Sequence, residues 1–195
     1  MSYQRADAVE GWEPGGSKSI GWWGMVFFIA SEALFFAYLI AAYLYLRANS
    51  ATWPPNGLPR LELLFPAINS VILIGSSLPV HWARSAIERG NRSTLNRGII
   101  LTLVMGAVFL AGQGWEYSRA GFSPSDGAYG STFFTLTGFH GAHVLAGLVF
   151  LLVVLVMSLR GRFSPERHFG VEAATMYWHF VDAVWIALFG VLYLL

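Results

Sequence analysis

The stretch Phe139-His-Gly-Ala-His-Val-Leu-Ala-Gly-Leu-Val-Phe-Leu-Leu152 is apolar enough to dissolve in lipid, yet it carries two histidines, His140 and His143, three residues apart. Whether it lies in a bilayer decides how every other part of the chain is read. Composition answers that question. The 195 residues are 55% hydrophobic and 12% charged, about half the charge of an ordinary soluble domain. The chain reads as an all-α membrane protein.

The absence of cysteine excludes disulfide frameworks, thiolate zinc sites and iron–sulfur clusters. A net charge of +1 without a basic tract gives no reason to expect nucleic acid. The polar, mixed-charge segment 1–19 lacks the apolar core and small-residue cleavage site of a secretory signal. It is expected to remain as a cytoplasmic tail before a transmembrane domain over 20–195.

Crossing the hydrocarbon takes about 20 mainly apolar residues. Five stretches qualify, at about 20–46, 64–83, 98–115, 131–159 and 169–195, and predict a bundle of five transmembrane helices. Pro54, Pro55, Gly57 and Pro59 punctuate the first connection, and Ser123, Pro124, Asp126 and Gly127 the third, in keeping with turn chemistry. Of the 12 Lys and Arg residues, Arg5, Lys18, Arg84, Arg89, Arg92, Arg97, Arg160, Arg162 and Arg167 fall on one side and Arg47, Arg60 and Arg119 on the other. None lies inside a predicted span. The positive-inside rule then puts the N-terminus in the cytoplasm and the C-terminus outside. Trp22, Trp23, Trp82 and Trp115 fall near span ends, where amphipathic rings favour the headgroup level.

Ionisable side chains in hydrocarbon cost roughly 2.5 to 3.5 kcal/mol each on insertion scales, so each needs a partner or a purpose. Glu32 is near the middle of the first span, His140 and His143 are in the fourth, and Glu172, His179 and Asp182 are in the fifth. With no Lys or Arg at its depth, Glu32 must be protonated or bonded to a neighbouring histidine or hydroxyl. It reads either as a register-locking interior carboxyl or as a proton-linked group. Residues three and four apart share a helix face. Glu172, Thr175, His179 and Asp182 therefore make one stripe, and His140, His143 and Gly147 another, with Gly138, Ala142 and Ala146 beside the second as small packing residues. The two stripes are expected to face each other and to hydrogen-bond across the fourth and fifth spans.

Haem or copper ligation by His143 with His179 is the sharper alternative, although the Glu-x-x-His repeats of a di-iron bundle are missing. Asn69, Ser70, Ser76 and Ser77 read as polar glue in the second span, Trp178 and Trp185 as a packing face of the fifth, and His81 and His168 as interface residues. Gln113 and Glu116 form a polar pair at the outer end of the third span, within reach of water.

SEALFF around Glu32, AGQGWEY at 111–117, SDGAYGSTFFTLTGFHGAHVLAG at 125–147 and VEAATMYWHFVDAVWIALF at 171–189 together resemble subunit III of the haem–copper oxidases, cytochrome c oxidase above all. The likeness covers all five spans, with the motifs in order. It implies a non-catalytic subunit of a terminal oxidase that reduces dioxygen to water with proton translocation. Haem and copper would reside in partner subunits I and II, and none on this chain. It further implies direct contact with subunit I, neighbouring oxidase subunits, bound structural phospholipid, support of proton uptake, and a place in a respiratory supercomplex. The family's intramembrane carboxyl maps to Glu32, its paired histidines to His140 and His143, and its fifth-helix cluster to Glu172, His179 and Asp182. Longer members have seven spans and this chain matches from their third onward, as in short bacterial forms. A multi-pass protein of the bacterial plasma membrane is therefore expected. The quinol oxidase version and the related nitric oxide reductase accessory protein are the nearest alternatives. An independent haem-binding or proton-translocating protein is the more distant one.

Overall fold

A computed structural model describes residues 19–55, 57–59 and 61–195. The tail ahead of residue 19, with Arg5 and Lys18, and Arg60 in the first connection lie outside the described residues. The elements are α1 (Ile20–Ala48), α2 (Leu64–Gly75), α3 (Ser77–Glu88), α4 (Arg92–Arg119), α5 (Gly127–Leu159) and α6 (Phe169–Phe189), closed by a π-helical turn, Gly190–Leu194. No strand occurs among the described residues. Five helical segments are long and apolar enough to cross a membrane, with α2 and α3 together forming the second and α6 with its π turn the fifth.

All five predicted spans are present, and most are longer than the apolar stretches that revealed them. The second and third reach Leu64–Glu88 and Arg92–Arg119, so Arg84, Arg92, Arg97 and Arg119 sit on helix ends rather than in connections. A helix continues past the hydrocarbon because its backbone hydrogen bonds are satisfied in water or headgroups as well as in lipid. Local sequence sets the ends. Ser19 accepts from the Trp22 amide at 3.2 Å and Asn91 from the Thr94 amide at 3.0 Å, which satisfies donors that a helix start leaves free. After α3 and α5 the chain turns through Gly90 (φ +74°) and Gly161 (φ +72°). The Asn91 amide returns to the Ala86 carbonyl and the Arg162 amide to that of Met157, the pattern of a left-handed glycine cap.

The second span is broken at Ser76, a feature absent from the sequence reading. Pro79 supplies no amide to the first turn of α3, and the Ser76 hydroxyl bonds to the Leu73 carbonyl at 2.5 Å. Ser70 on α2, with Ser76 and Ser77 at the break, presents its hydroxyl to α6.

The core is centred on α6. Trp178 and Trp185 are fully buried, and Trp178 wedges between α4 and α5. A Cβ on Gly106 would come within 2.7 Å of its ring, and one on Gly147 within 2.9 Å. Glycine is required at both because the ring occupies the volume of a side chain. Gly98 plays the corresponding part between α4 and α3, where a Cβ would lie 2.6 Å from the Pro79 carbonyl oxygen. Gly138, expected as a packing residue, is not crowded: its nearest neighbour would be the Tyr117 hydroxyl at 3.9 Å. Gly147 carries the close approach instead. Helix α1 is the least embedded element, with Phe36 and Tyr43 its buried residues, and it lies along α5 and α6.

Candidate functional site: polar side chains between the helices

Four ionisable side chains of the spans, Glu32, His143, His179 and Asp182, lie in two separate seams. Along the first, α1 meets α5. His143 Nδ1 faces the Phe139 carbonyl at 2.7 Å, and its Nε2 is 3.0 Å from Glu32 Oε2. A ring hydrogen-bonded through both nitrogens has a fixed orientation. Phe35 and Phe36 close over it, with centroids 6.4 and 4.9 Å from the imidazole. Glu32 thus has the histidine partner that was one of its expected options.

Along the second seam, α6 faces the broken second span. The Ser77 hydroxyl donates to Asp182 Oδ2 and lies 2.9 Å from His179 Nδ1. Trp178 Nε1 donates to Ser76 Oγ at 2.8 Å and Trp185 Nε1 to Ser70 Oγ at 2.7 Å. Asn69 Nδ2 reaches the Phe109 carbonyl at 3.0 Å. Ser70, Ser76, Ser77 and Asn69 are interhelical polar residues, and the two tryptophans are core, in agreement with the sequence reading.

The expected pairing of the two stripes is corrected. The α6 residues His179 and Asp182 turn to α3, and His143 turns to α1. Sequence adjacency suggested that consecutive spans share their polar faces, but α5 offers α6 a glycine groove for Trp178 while the serines lie on α2 and α3. Glu172 departs from the stripe as well. It occupies the first turn of α6 and meets Arg84 at 3.4 Å, while Arg84 also reaches Glu88 at 3.3 Å. This is a charge cluster at the helix ends, where water and headgroups screen it.

His140 is part of neither seam. It is buried, and both ring nitrogens lack a hydrogen-bond partner. Its ring stacks on Trp185 at 4.9 Å and meets the edge of Phe109 at 5.9 Å, so its role here is aromatic packing in the core. Gln113 and Glu116 form the predicted pair at 3.2 Å, and the structure adds a partner that sequence reading missed: Tyr193 donates to Glu116 at 2.8 Å. The two residues are 77 positions apart, and only the return of the last span to this end of the bundle brings them together. Among the described residues no group of three or more His, Asp or Glu is close enough to hold a metal ion. His143 and His179, the candidate ligand pair, bond to different helices.

Fold and seams define a class: a multi-pass helical membrane protein whose intramembrane polar groups are engaged mainly with one another between its own helices. The family within that class follows from comparison. A sequence profile described as cytochrome c oxidase subunit III matches residues 17–195. Cytochrome c oxidase subunit 3 of Synechocystis sp. is 45% identical over 181 residues, which covers 92% of this chain and 78% of that protein. The subunit 3 of Thermostichus vulcanus is 42% identical over 173 residues, covering 88% and 86%, and that of Drosophila melanogaster 42% over 177 residues, covering 88% and 68%. The chain belongs to the cytochrome c oxidase subunit III family.

Proposed function

We propose that the chain is the non-catalytic third subunit of a respiratory haem–copper oxidase that reduces dioxygen to water with cytochrome c as donor. It lies in a bacterial plasma membrane with its N-terminus in the cytoplasm. Haem and copper belong to the neighbouring subunits, and this chain buttresses subunit I, holds phospholipid and supports proton uptake. The carrying observation is the similarity to cytochrome c oxidase subunits 3 along nearly the whole chain. The geometry supports the same reading, because Glu32, His143, Ser77 and Asp182 are engaged within the bundle and serve to position helices. We assign Glu32, His143, His179 and Asp182 to interhelical fastening, Glu172 to the charged helix-end cluster, and Gln113 with Glu116 to the polar pair at the opposite end.

The test is to purify the tagged full chain in mild detergent from membranes that contain its neighbours, and to record the visible spectrum before and after stripping partners. The expected result is a haem-bearing larger subunit in the preparation and a haem spectrum that departs with it. Colour retained by the stripped chain would overturn the proposal.

A further inference from the structure

Buried polar atoms nearly always have a hydrogen-bond partner, so those with none in the protein itself mark places where something else supplies one. Of the four such side-chain atoms among the described residues, three are Gln113 Oε1 and the two ring nitrogens of His140. Both side chains are more than nine-tenths buried, with exposures of 4% and 1%. They belong to facing helices at one level. Phe109, Gln113 and Tyr117 recur every four residues and so share a face of α4. The Phe109 ring meets the His140 imidazole at 5.9 Å, and the Tyr117 hydroxyl lies 2.7 Å from Thr137 Oγ1, one turn before His140 on α5. Gln113 is therefore bracketed by two contacts with α5, and His140 lies between the same two.

We infer that the α4–α5 interface binds an internal water molecule between Gln113 Oε1 and a ring nitrogen of His140, with the Tyr117 hydroxyl as its third partner. The donors and acceptors at that level are complementary to a water. Thr137 gives its single hydrogen to the Phe133 carbonyl at 2.7 Å, so in the contact with Tyr117 the phenol is the donor. That leaves the Tyr117 oxygen free to accept. Gln113 Nε2 donates to Glu116 at 3.2 Å, and Oε1 of the same amide is left as a second acceptor. A neutral imidazole adds one N–H. A water gives its two hydrogens to the acceptors and receives that of the ring, about three bonds, the usual number for a buried water. Gly138 keeps the space beside the Tyr117 hydroxyl open, since even a Cβ there would stay 3.9 Å away. A metal cation would need a group of three or more His, Asp and Glu side chains, which does not gather among the described residues. The water joins the Tyr193–Glu116–Gln113 network at the end of α4 to the His140 ring stacked on Trp185 at 4.9 Å. It fixes His140 in one tautomer, with its N–H turned to α4. Glu116 also lines a cavity of about 360 Å³ at that end of the bundle, so the bound water exchanges with solvent from that side.

The test uses the full chain in liposomes with isotope-labelled histidine, and solid-state NMR in which magnetisation starts on water protons and is read at the imidazole nitrogens. The His140 signals are assigned by their loss in His140→Phe, and His81, exposed on α3, is the reference for a ring in contact with solvent. The expected result is a single neutral tautomer of His140 whose N–H receives magnetisation from water although the residue is buried. Gln113→Leu is close to the original in size but offers no oxygen, and should lose that transfer and shift the ring signal. Tyr117→Phe removes the third partner and should reduce the transfer while the helices stay packed. Helical circular dichroism verifies the fold of each variant, and the unaltered chain decides the matter even where a variant fails to fold. A His140 ring without water transfer in the unaltered chain, a mixture of its two tautomers, or transfer unchanged in folded Gln113→Leu overturns the inference.

Discussion

The imidazole of His143, on α5, stands 3.0 Å from the carboxyl of Glu32, on α1, and this contact bears heavily on α1 because little else of that helix is buried. The side chains are 26% and 17% exposed for Glu32 and His143 respectively, so the pair sits at the seam's edge. Removing one member leaves the other without its partner in a medium that offers no water in exchange.

Glu32→Ala or His143→Ala should each destabilise the α1–α5 seam by about 1–3 kcal/mol, the range for stranding one buried polar group. The double variant should be no worse than the more damaging single, because the partners share one interaction. Spin labels on α1 and α5, introduced into a chain with no native cysteine, should report a broader interhelical distance in each variant. A strictly additive double variant would show that the pair is not coupled.

Five spans were legible in composition and hydropathy because a bilayer-crossing helix must be apolar throughout its length, and Glu32, His143, His179 and Asp182 stood out because charge in that setting is rare. A histidine for Glu32 and the Gln113–Glu116 pair were legible as well, whereas the partners of His179 and Asp182 were not. Placing His179 and Asp182 against α3 depends on Trp178 filling the space between Gly106 and Gly147, which rotates the polar side of α6 toward the serines. The doublet Ser76-Ser77 followed by Pro79 was the available signal, since a proline near hydroxyls in a long apolar run marks a helix whose freed backbone groups find local partners. The Tyr193–Glu116 contact had no comparable signal.

Trp178 tests the packing side of this account. Gly147→Ala would put a methyl 2.9 Å from the indole and force the helices apart, at about 1–3 kcal/mol for overpacking. Trp178→Phe loses both the 2.8 Å bond to Ser76 and part of the ring that fills the space between Gly106 and Gly147, so a larger loss of about 2–4 kcal/mol is expected. Thermal unfolding in detergent, followed by loss of helical circular dichroism, should show Trp178→Phe to be the less stable of the two.

The cluster at the other end of α6 should behave differently. Arg84 and its carboxyl partners Glu88 and Glu172 lie at 3.3–3.4 Å with partly exposed side chains, and pairs of this kind are worth about 0–1 kcal/mol. Glu172→Gln should therefore leave thermal stability nearly unchanged, and the small difference should shrink further as salt is raised. A loss as large as that of Glu32→Ala would mean that Glu172 is buried in the assembled membrane protein.

Ser77 is the most sensitive position of the α3–α6 seam, because one hydroxyl serves two titratable neighbours. It donates to Asp182 Oδ2 and lies 2.9 Å from His179 Nδ1, while Asp182 Oδ1 already has no partner. Ser77→Ala would leave both carboxyl oxygens unsatisfied in a buried site, at about 1–3 kcal/mol. Ser77→Thr retains the hydroxyl and should recover most of that loss, provided the added methyl is accommodated. Combining Ser77→Ala with Asp182→Leu removes donor and acceptor together, and replacing both partners of a buried hydrogen bond by apolar groups comes near to neutral. The order Ser77→Ala least stable, then the double variant, then Ser77→Thr is expected in detergent melts. Were the double variant to be the least stable of the three, the carboxyl of Asp182 would have a partner beyond Ser77.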